Sequence, residues 1–224
     1  MIVVTIPAHN EEKTVGDVVR AVRRACRDML DVTVIVACNN CADSTQREAA
    51  NAGAVTFEVP EPGLANVFRA EMREAIAYKP YAVVHIDADG QYAASDIPRL
   101  LLELADCDMV MGNRLWKRPD GMPVSKFVLN RLGSAGYSAV CRGWIPDITT
   151  GLRAFTPDVA LIGTRLKSRY TYTQELTWLA MQNRMRISSI PVQFHPRADG
   201  KSRLMHGSWH YLSRSLSDFW RFAR

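Results

Sequence analysis

Residues 82–91 read Ala82-Val83-Val84-His85-Ile86-Asp87-Ala88-Asp89-Gly90-Gln91, an apolar run that closes on two carboxylates and a glycine. A short continuous apolar run bounded by a turn signal predicts a buried strand. Alternate residues of an extended chain point to opposite faces, but a turn at Gly90 brings Asp89 and Gln91 round to the side that Asp87 serves. Oxygen donors of this kind suit Mg²⁺ or Mn²⁺. An isolated Asp-x-Asp is more often a solvated acidic turn, so its surroundings decide what it means.

Outward from this stretch, Ile2 to Ile6, Val32 to Ala37, Ala54 to Val59 and Tyr81 to Ile86 are apolar segments of strand length. Helical patterns separate them. Thr14 to Leu30 places Val15, Val18, Val19, Val22 and Ala25 on one face, Asp43 caps a helix running to about Asn51, and Leu64 to Tyr78 repeats the pattern. Strand and helix in alternation predict an α/β fold with a mostly parallel central sheet flanked by helices, whose ligands gather at the carboxyl ends of the strands. Further on, Ser95 or Asp96 starts a helix through Ala105, Asp108 to Met111 forms a strand, and Pro123 to Val140 forms a helix. Asp147 to Phe155 is a strand after a polar turn, Thr173 to Asn183 a helix and Arg186 to Phe194 a strand. With no repeat or linker, residues 1–224 are expected to form one domain.

The 224 residues are 47% hydrophobic, enough for a substantial core, and contain no apolar run of membrane-spanning length. The opening Met1-Ile2-Val3-Val4-Thr5-Ile6-Pro7 carries no basic export signal, so a cytoplasmic location is expected. Cys26, Cys38, Cys41, Cys107 and Cys141 form an odd set without a disulfide framework, and Cys38-x-x-Cys41 has no second pair with which to hold zinc. Small semi-buried thiols are the expectation. The net charge of +5 and pI near 9.1 accommodate nucleic acid, anionic lipid or phosphorylated small molecules. No helix-turn-helix or aromatic RNA-binding pattern accompanies that charge, so nucleic acid is not an expected partner.

Ile6-Pro7-Ala8-His9-Asn10-Glu11-Glu12, Val36-Ala37-Cys38-Asn39-Asn40-Cys41-Ala42-Asp43-Ser44-Thr45 and the Asp87-to-Gln91 turn stand in the same order as the loops of glycosyltransferase family 2, which this chain resembles along nearly its whole length. Gly112-Asn113-Arg114, Asp147 to Phe155 and Arg197-Ala198-Asp199-Gly200-Lys201-Ser202-Arg203 further resemble the branch containing dolichyl-phosphate mannose synthases and related polyprenyl-phosphate sugar transferases. The resemblance implies a Rossmann-like GT-A fold and an inverting transfer of a hexose, mannose or glucose, from a GDP- or UDP-linked sugar. It implies a nucleotide-sugar half over residues 1–112, an acceptor-side half over 113–206 and a terminal amphipathic helix over 207–224.

Residue by residue, the resemblance makes Asp89 and Gln91, with Asp87, the ligands of Mg²⁺ or Mn²⁺. Pro7, Ala8, Asn10, Glu11, Asn39, Asp87 and Ala88 fall to the nucleotide. Asp89, Arg114, Arg153 and Arg197 fall to catalysis, and Arg131, Ser134, Lys201, Arg203 and Glu175 to the acceptor or its phosphate. The usual Asp pair of the second loop is replaced by Cys38 and Asn39. An amide both donates and accepts where a carboxylate only accepts, which leaves guanine and uracil both open.

A phosphate monoester is largely a dianion at neutral pH and attacks without a general base, whereas a hydroxyl acceptor would look to Asp147 or Glu175. Some polyprenyl-phosphate transferases carry membrane spans after the catalytic domain. This chain shows instead Trp209, Leu212, Leu216, Phe219, Trp220 and Ala223 at helical spacing with Arg214, Arg221 and Arg224, a pattern suited equally to core packing and to peripheral contact with a membrane. Leu115 to Arg118 and Met122 to Val128 mix apolar and cationic groups in the same way. The alternatives are a soluble hydroxyl acceptor and a non-catalytic nucleotide-binding subunit.

Overall fold

Valine and isoleucine favour the pleated backbone and arginine-flanked amphipathic stretches favour helices, and the chain follows that division. The computed structural model describes residues 1–29 and 31–197. The strands are β1 (Ile2–Ala8), β2 (Val32–Cys38), β3 (Val55–Glu58), β4 (Ala82–His85), β5 (Met109–Asn113), β6 (Arg153–Phe155) and β7 (Ile187–Pro191). The helices are α1 (Val15–Ala25), α2 (Thr45–Asn51), α3 (Leu64–Ala77), α4 (Ile97–Glu103), α5 (Val124–Cys141), α6 (Pro157–Gly163) and α7 (Tyr172–Gln182).

All seven strands join one sheet in the order β3-β2-β1-β4-β6-β5-β7. β1 pairs in parallel with β2 and β4, and β5 with β7, whereas β6 runs antiparallel between β4 and β5. Both faces of the sheet are covered. Ile2, Val4 and Ile6 of β1 pack with Val15, Val19 and Val22 of α1 and with Leu100 of α4, while Val3 packs on the opposite face with Phe68 and Met72 of α3 and Leu176 of α7. This double burial explains the unbroken apolar runs.

Several boundaries differ from expectation. α1 ends at Ala25, and residues 26–29 form a turn in which Met29 N–H bonds to Cys26 O. The strand expected over 147–155 shrinks to Arg153–Phe155, because Asp147 and Thr150 are held in a turn by side-chain hydrogen bonds. α6 was not foreseen, although Thr156-Pro157 supplies the proline that suits a first helical turn. No helix among the described residues is long and apolar enough to cross a membrane. The expected helix over 207–224 lies outside the described residues.

Candidate active site

Strand β4 ends at His85, and the chain turns through Asp87 to Gly90, whose φ of 73° is the left-handed conformation open to glycine. Asp89 Oδ1 accepts from Gln91 N–H at 3.0 Å, which folds the turn back on itself. Asp87, Asp89 and Gln91 thereby line one cleft of about 740 Å³ at the carboxyl ends of β1, β2 and β4. Gly151 closes this turn from the side: a Cβ there would stand 2.7 Å from Asp87 Cγ, so no larger residue fits while Asp87 keeps its place. Tyr92 Oη accepts from Gly151 N–H at 2.7 Å, tying the two segments together.

Burial, and then the charge of neighbouring Asp89, push the Asp87 carboxyl up to about 6. Asp89 is paired otherwise, with Arg197 Nη2 donating to its Oδ2 at 2.7 Å while Arg197 Nη1 lies 3.8 Å from Glu11 Oε1. On the far side of the cleft Arg114 forks onto Asp147, donating from Nε at 2.7 Å and Nη2 at 2.8 Å, with Nη2 also reaching Thr149 Oγ1. Burial opposes the Arg114 charge, but the buried Asp147 carboxylate outweighs it and raises the pKa. Lys126 of α5 lines the same cleft, and its pKa is lowered by burial and then by the like charges of Arg114 and Arg197.

Pro7, Ala8, Glu11, Asn39 and Ala88 also line the cleft, as the family resemblance implied for the nucleotide. Asn39 Nδ2 donates to Val59 O at 2.6 Å and Glu61 O at 3.0 Å, so its amide braces the segment after β3. Asn10 does not line the cleft. Its Oδ1 accepts from Ala42 N–H at 2.6 Å, which locks the first loop to the second. Burial, with Cys41 beside it, pushes the Cys38 thiol up to about 12, a poor setting for thiolate chemistry.

Four further expectations move from the cleft to its support. Arg153 is fully buried on β6, donating to Thr150 O, Ile148 O, Thr173 O and Thr177 Oγ1, so its fork is consumed by the protein. Glu175 is fully buried and accepts from Lys167 and Ser168 N–H at 2.6 and 2.7 Å, which fastens the loop before α7. Ser134 Oγ accepts from Ile148 N–H at 3.1 Å, and Arg131 is exposed on α5 outside the cleft lining. Lys201 and Arg203 lie outside the described residues. Lys126, Thr149, Gly151 and Tyr172 line the cleft without having been singled out for it. For Gly151 the signal was the glycine inside the polar turn. Lys126 is the cation of the mixed stretch Met122 to Val128, which pointed to a membrane or the core and not to this cleft, and Tyr172 opens the segment that carries Glu175.

Among the described residues no three His, Cys, Asp or Glu side chains converge as a cage for a metal. Asp87, raised by burial and then by the charge of Asp89, and Asp89 beside it are nevertheless a fit for Mg²⁺ or Mn²⁺, which commonly take one or two protein carboxylates and complete their shell with water and substrate phosphates. Gln91 Nε2 donates to His195 O at 3.1 Å, leaving the amide oxygen as its donor atom for a cation.

Residues 3–160 match the family described as Glycosyl transferase family 2. The chain is 28% identical over 218 residues to a polyprenol monophosphomannose synthase of Mycolicibacterium smegmatis, covering 90% of this chain and 80% of that protein. It is 28% identical over 161 residues to an undecaprenyl-phosphate mannosyltransferase of Micrococcus luteus, covering 68% of this chain and 65% of that one. The chain spans between 52% and 96% of the length of eight curated relatives that it matches. A glucosyl-3-phosphoglycerate synthase from Mycobacterium tuberculosis, solved with Mn²⁺, UDP and phosphoglyceric acid, shares the fold with a TM-score of 0.72 at 18% identity, covering 97% of this chain and 78% of that one.

Proposed function

Because the chain belongs to glycosyl transferase family 2, we propose that its cleft takes a GDP- or UDP-linked hexose, mannose or glucose, and transfers it with inversion to a polyprenyl or dolichyl phosphate. The observation that carries this proposal is the cationic wall of Arg114, Lys126 and Arg197 beside the Asp87–Asp89 turn. Arg114 is engaged by Asp147 and Arg197 by Asp89, and Lys126, whose pKa is lowered by burial and then by those two arginines, stands with them on the wall, so an entering diphosphate and acceptor phosphate would meet cations already in place. The names of the two mannose-transferring relatives support the lipid-linked acceptor.

Asp87, Asp89 and Gln91 would hold Mg²⁺ or Mn²⁺, which when bound neutralises charge developing on the leaving diphosphate. Pro7, Ala8, Glu11 and Asn39 hold the nucleoside end, and Arg197 lies beside the carboxylates where it can follow the diphosphate. The acceptor phosphate oxygen forms its bond to the anomeric carbon from the face opposite the departing diphosphate, whose bond to that carbon breaks. A dianionic phosphate needs no base. Glu175 and Asp147, the carboxylates a hydroxyl acceptor would require, are already engaged by backbone N–H groups and by Arg114. Val124, Val128 and Leu132 of α5 are exposed, as are Trp116 before it in the chain and Trp144 after it, which supports a peripheral membrane contact beside the acceptor side. Leu115 and Met122, in stretches suited to core packing as well as to a membrane, are buried.

A soluble acceptor is the second reading, motivated by the phosphoglyceric acid in the structurally similar synthase. Protein incubated with Mg²⁺ or Mn²⁺, labelled nucleotide hexoses and polyprenyl phosphate is expected to yield organic-extractable label. Label transferred only to phosphorylated or hydroxylated soluble acceptors would replace the lipid with the second reading, and no transfer from any donor would overturn both.

A further inference from the structure

Behind the cleft lies a column of buried polar groups that the transfer described above does not use. Glu71 of α3 is fully buried, and neither carboxyl oxygen meets a hydrogen-bond partner of good geometry. Its Oε2 lies 3.4 Å from Nδ1 of His85, which is also fully buried and stands 3.1 Å from Thr5 Oγ1 on the neighbouring strand. His85 Nε2 shares a hydrogen bond of 3.0 Å with the Tyr172 hydroxyl. Tyr172 stacks on Phe68, with centroids 4.7 Å apart and planes at 28°, and lines the cleft at the first residue of α7.

Such a column is costly. A carboxyl buried without a hydrogen-bond partner of good geometry, as Glu71 is, costs more than an apolar side chain of the same volume would. Its reach is specific, because the last member opens on the cleft and the first two touch nothing but the core. The ring of Tyr172 is stacked on Phe68 and its hydroxyl is bonded to the buried His85, so the one member of the column that lines the cleft is held in a single position.

The chemistry of the cleft wall indicates what that ligand is. The nucleoside falls to the carboxyl ends of β1 and β2, the diphosphate to Asp87 and Asp89, and the acceptor anion to Arg114 and Lys126. Leu64, Tyr172 and Thr173 are among the uncharged residues of the lining, and such a surface suits an uncharged polyol. On the donor reading above, we propose that Tyr172 contacts the hexose ring of the nucleotide sugar and that Glu71 and His85 are positioning residues for its hydroxyl, so that the column sets which hexose epimer is accepted. A site built to bond a sugar hydroxyl discriminates strongly against an epimer that leaves it unpaired.

The test compares Tyr172→Phe, which keeps the ring and its stack, with Glu71→Gln and the double variant. Calorimetry with nucleoside diphosphate and with the epimeric mannose and glucose donors on the same nucleoside reads the contact directly, and transfer rates read its consequence. Each single variant is expected to shrink the preferred epimer's advantage about tenfold while the bare diphosphate binds as before, and the double variant is expected to be no worse than either single one. Unchanged epimer preference in a folded Tyr172→Phe overturns the inference alone. A lowered melting temperature or Mn²⁺ affinity with unchanged preference also overturns it, because it assigns the column to structure or to the metal. Wild-type protein that binds no nucleotide sugar overturns the donor reading and this inference together.

Discussion

Arg197 donates to Asp89 across 2.7 Å, so the segment after β7 is tied by charge to the turn after β4 that carries Asp87 and Asp89. A cation arriving at Asp89 must therefore share or displace a guanidinium. Arg197→Ala is expected to tighten Mn²⁺ binding in the absence of nucleotide by about fivefold, the scale of a partly exposed ion pair, and to slow sugar transfer. Calorimetric Mn²⁺ titration with and without nucleoside diphosphate checks the first effect. Equal or weaker Mn²⁺ binding by the variant contradicts it.

Asp87 carries the pH dependence. Its folded-state pKa of about 6 lies above the ordinary carboxylate value, so between about pH 4 and pH 6 the native protein retains a proton that the unfolded chain has released. Stability of the metal-free protein therefore falls as pH rises through that window and levels off above it. Divalent cation binding has the opposite sign, weakening about tenfold per unit as pH drops below about 6. Asp87→Asn removes both trends, which urea unfolding and Mn²⁺ titration across the window will read.

Gly151 has no room for a side chain. Gly151→Ala drives a methyl against the Asp87 carboxyl, and the expected result is loss of Mn²⁺ affinity by an order of magnitude or more, with stability lowered by about 1–3 kcal/mol from overpacking. An alanine variant with wild-type metal affinity would show that the turn yields.

Arg153→Lys keeps the charge but cannot span four acceptors. Leaving buried carbonyls of Ile148, Thr150 and Thr173 under-bonded is expected to cost about 3 kcal/mol, seen as a lower urea midpoint with an unchanged slope. Arg131→Ala, on the exposed face of α5, is expected to leave that midpoint in place.

Glu175→Gln separates a fastening role from a base. The variant is expected to lose stability through weaker bonds to Lys167 and Ser168 N–H while the shape of the pH–rate profile stays unchanged. Disappearance of an ionisation from that profile would return Glu175 to the chemistry.

The legible part of this molecule was the part written in local pattern. β1, β2 and β4 show as valine and isoleucine runs because both faces of each are buried, and the Asp87-to-Gln91 turn shows because Gly90 follows the acids directly. Family motifs extended that legibility to Arg114 and Arg197, which do line the cleft. Arg153 and Glu175, reached by the same motifs, are buried outside its lining, since a motif records which residue stands at a position and not which way its side chain is spent.

By itself the sequence determined the alternation of strand and helix, the acidic turn at a strand end and the loops that flank it, since each depends on neighbours within a few residues. Only the tertiary structure decided that β6 enters the sheet antiparallel between β4 and β5, that Lys126 joins Arg114 and Arg197, and that Glu71, His85 and Tyr172 form one column. The physical reason is separation along the chain. Glu71 and Tyr172 are brought together by the packing of α3 and α7 on the same face of the sheet, and no local periodicity encodes which buried polar groups such packing will place within hydrogen-bonding reach.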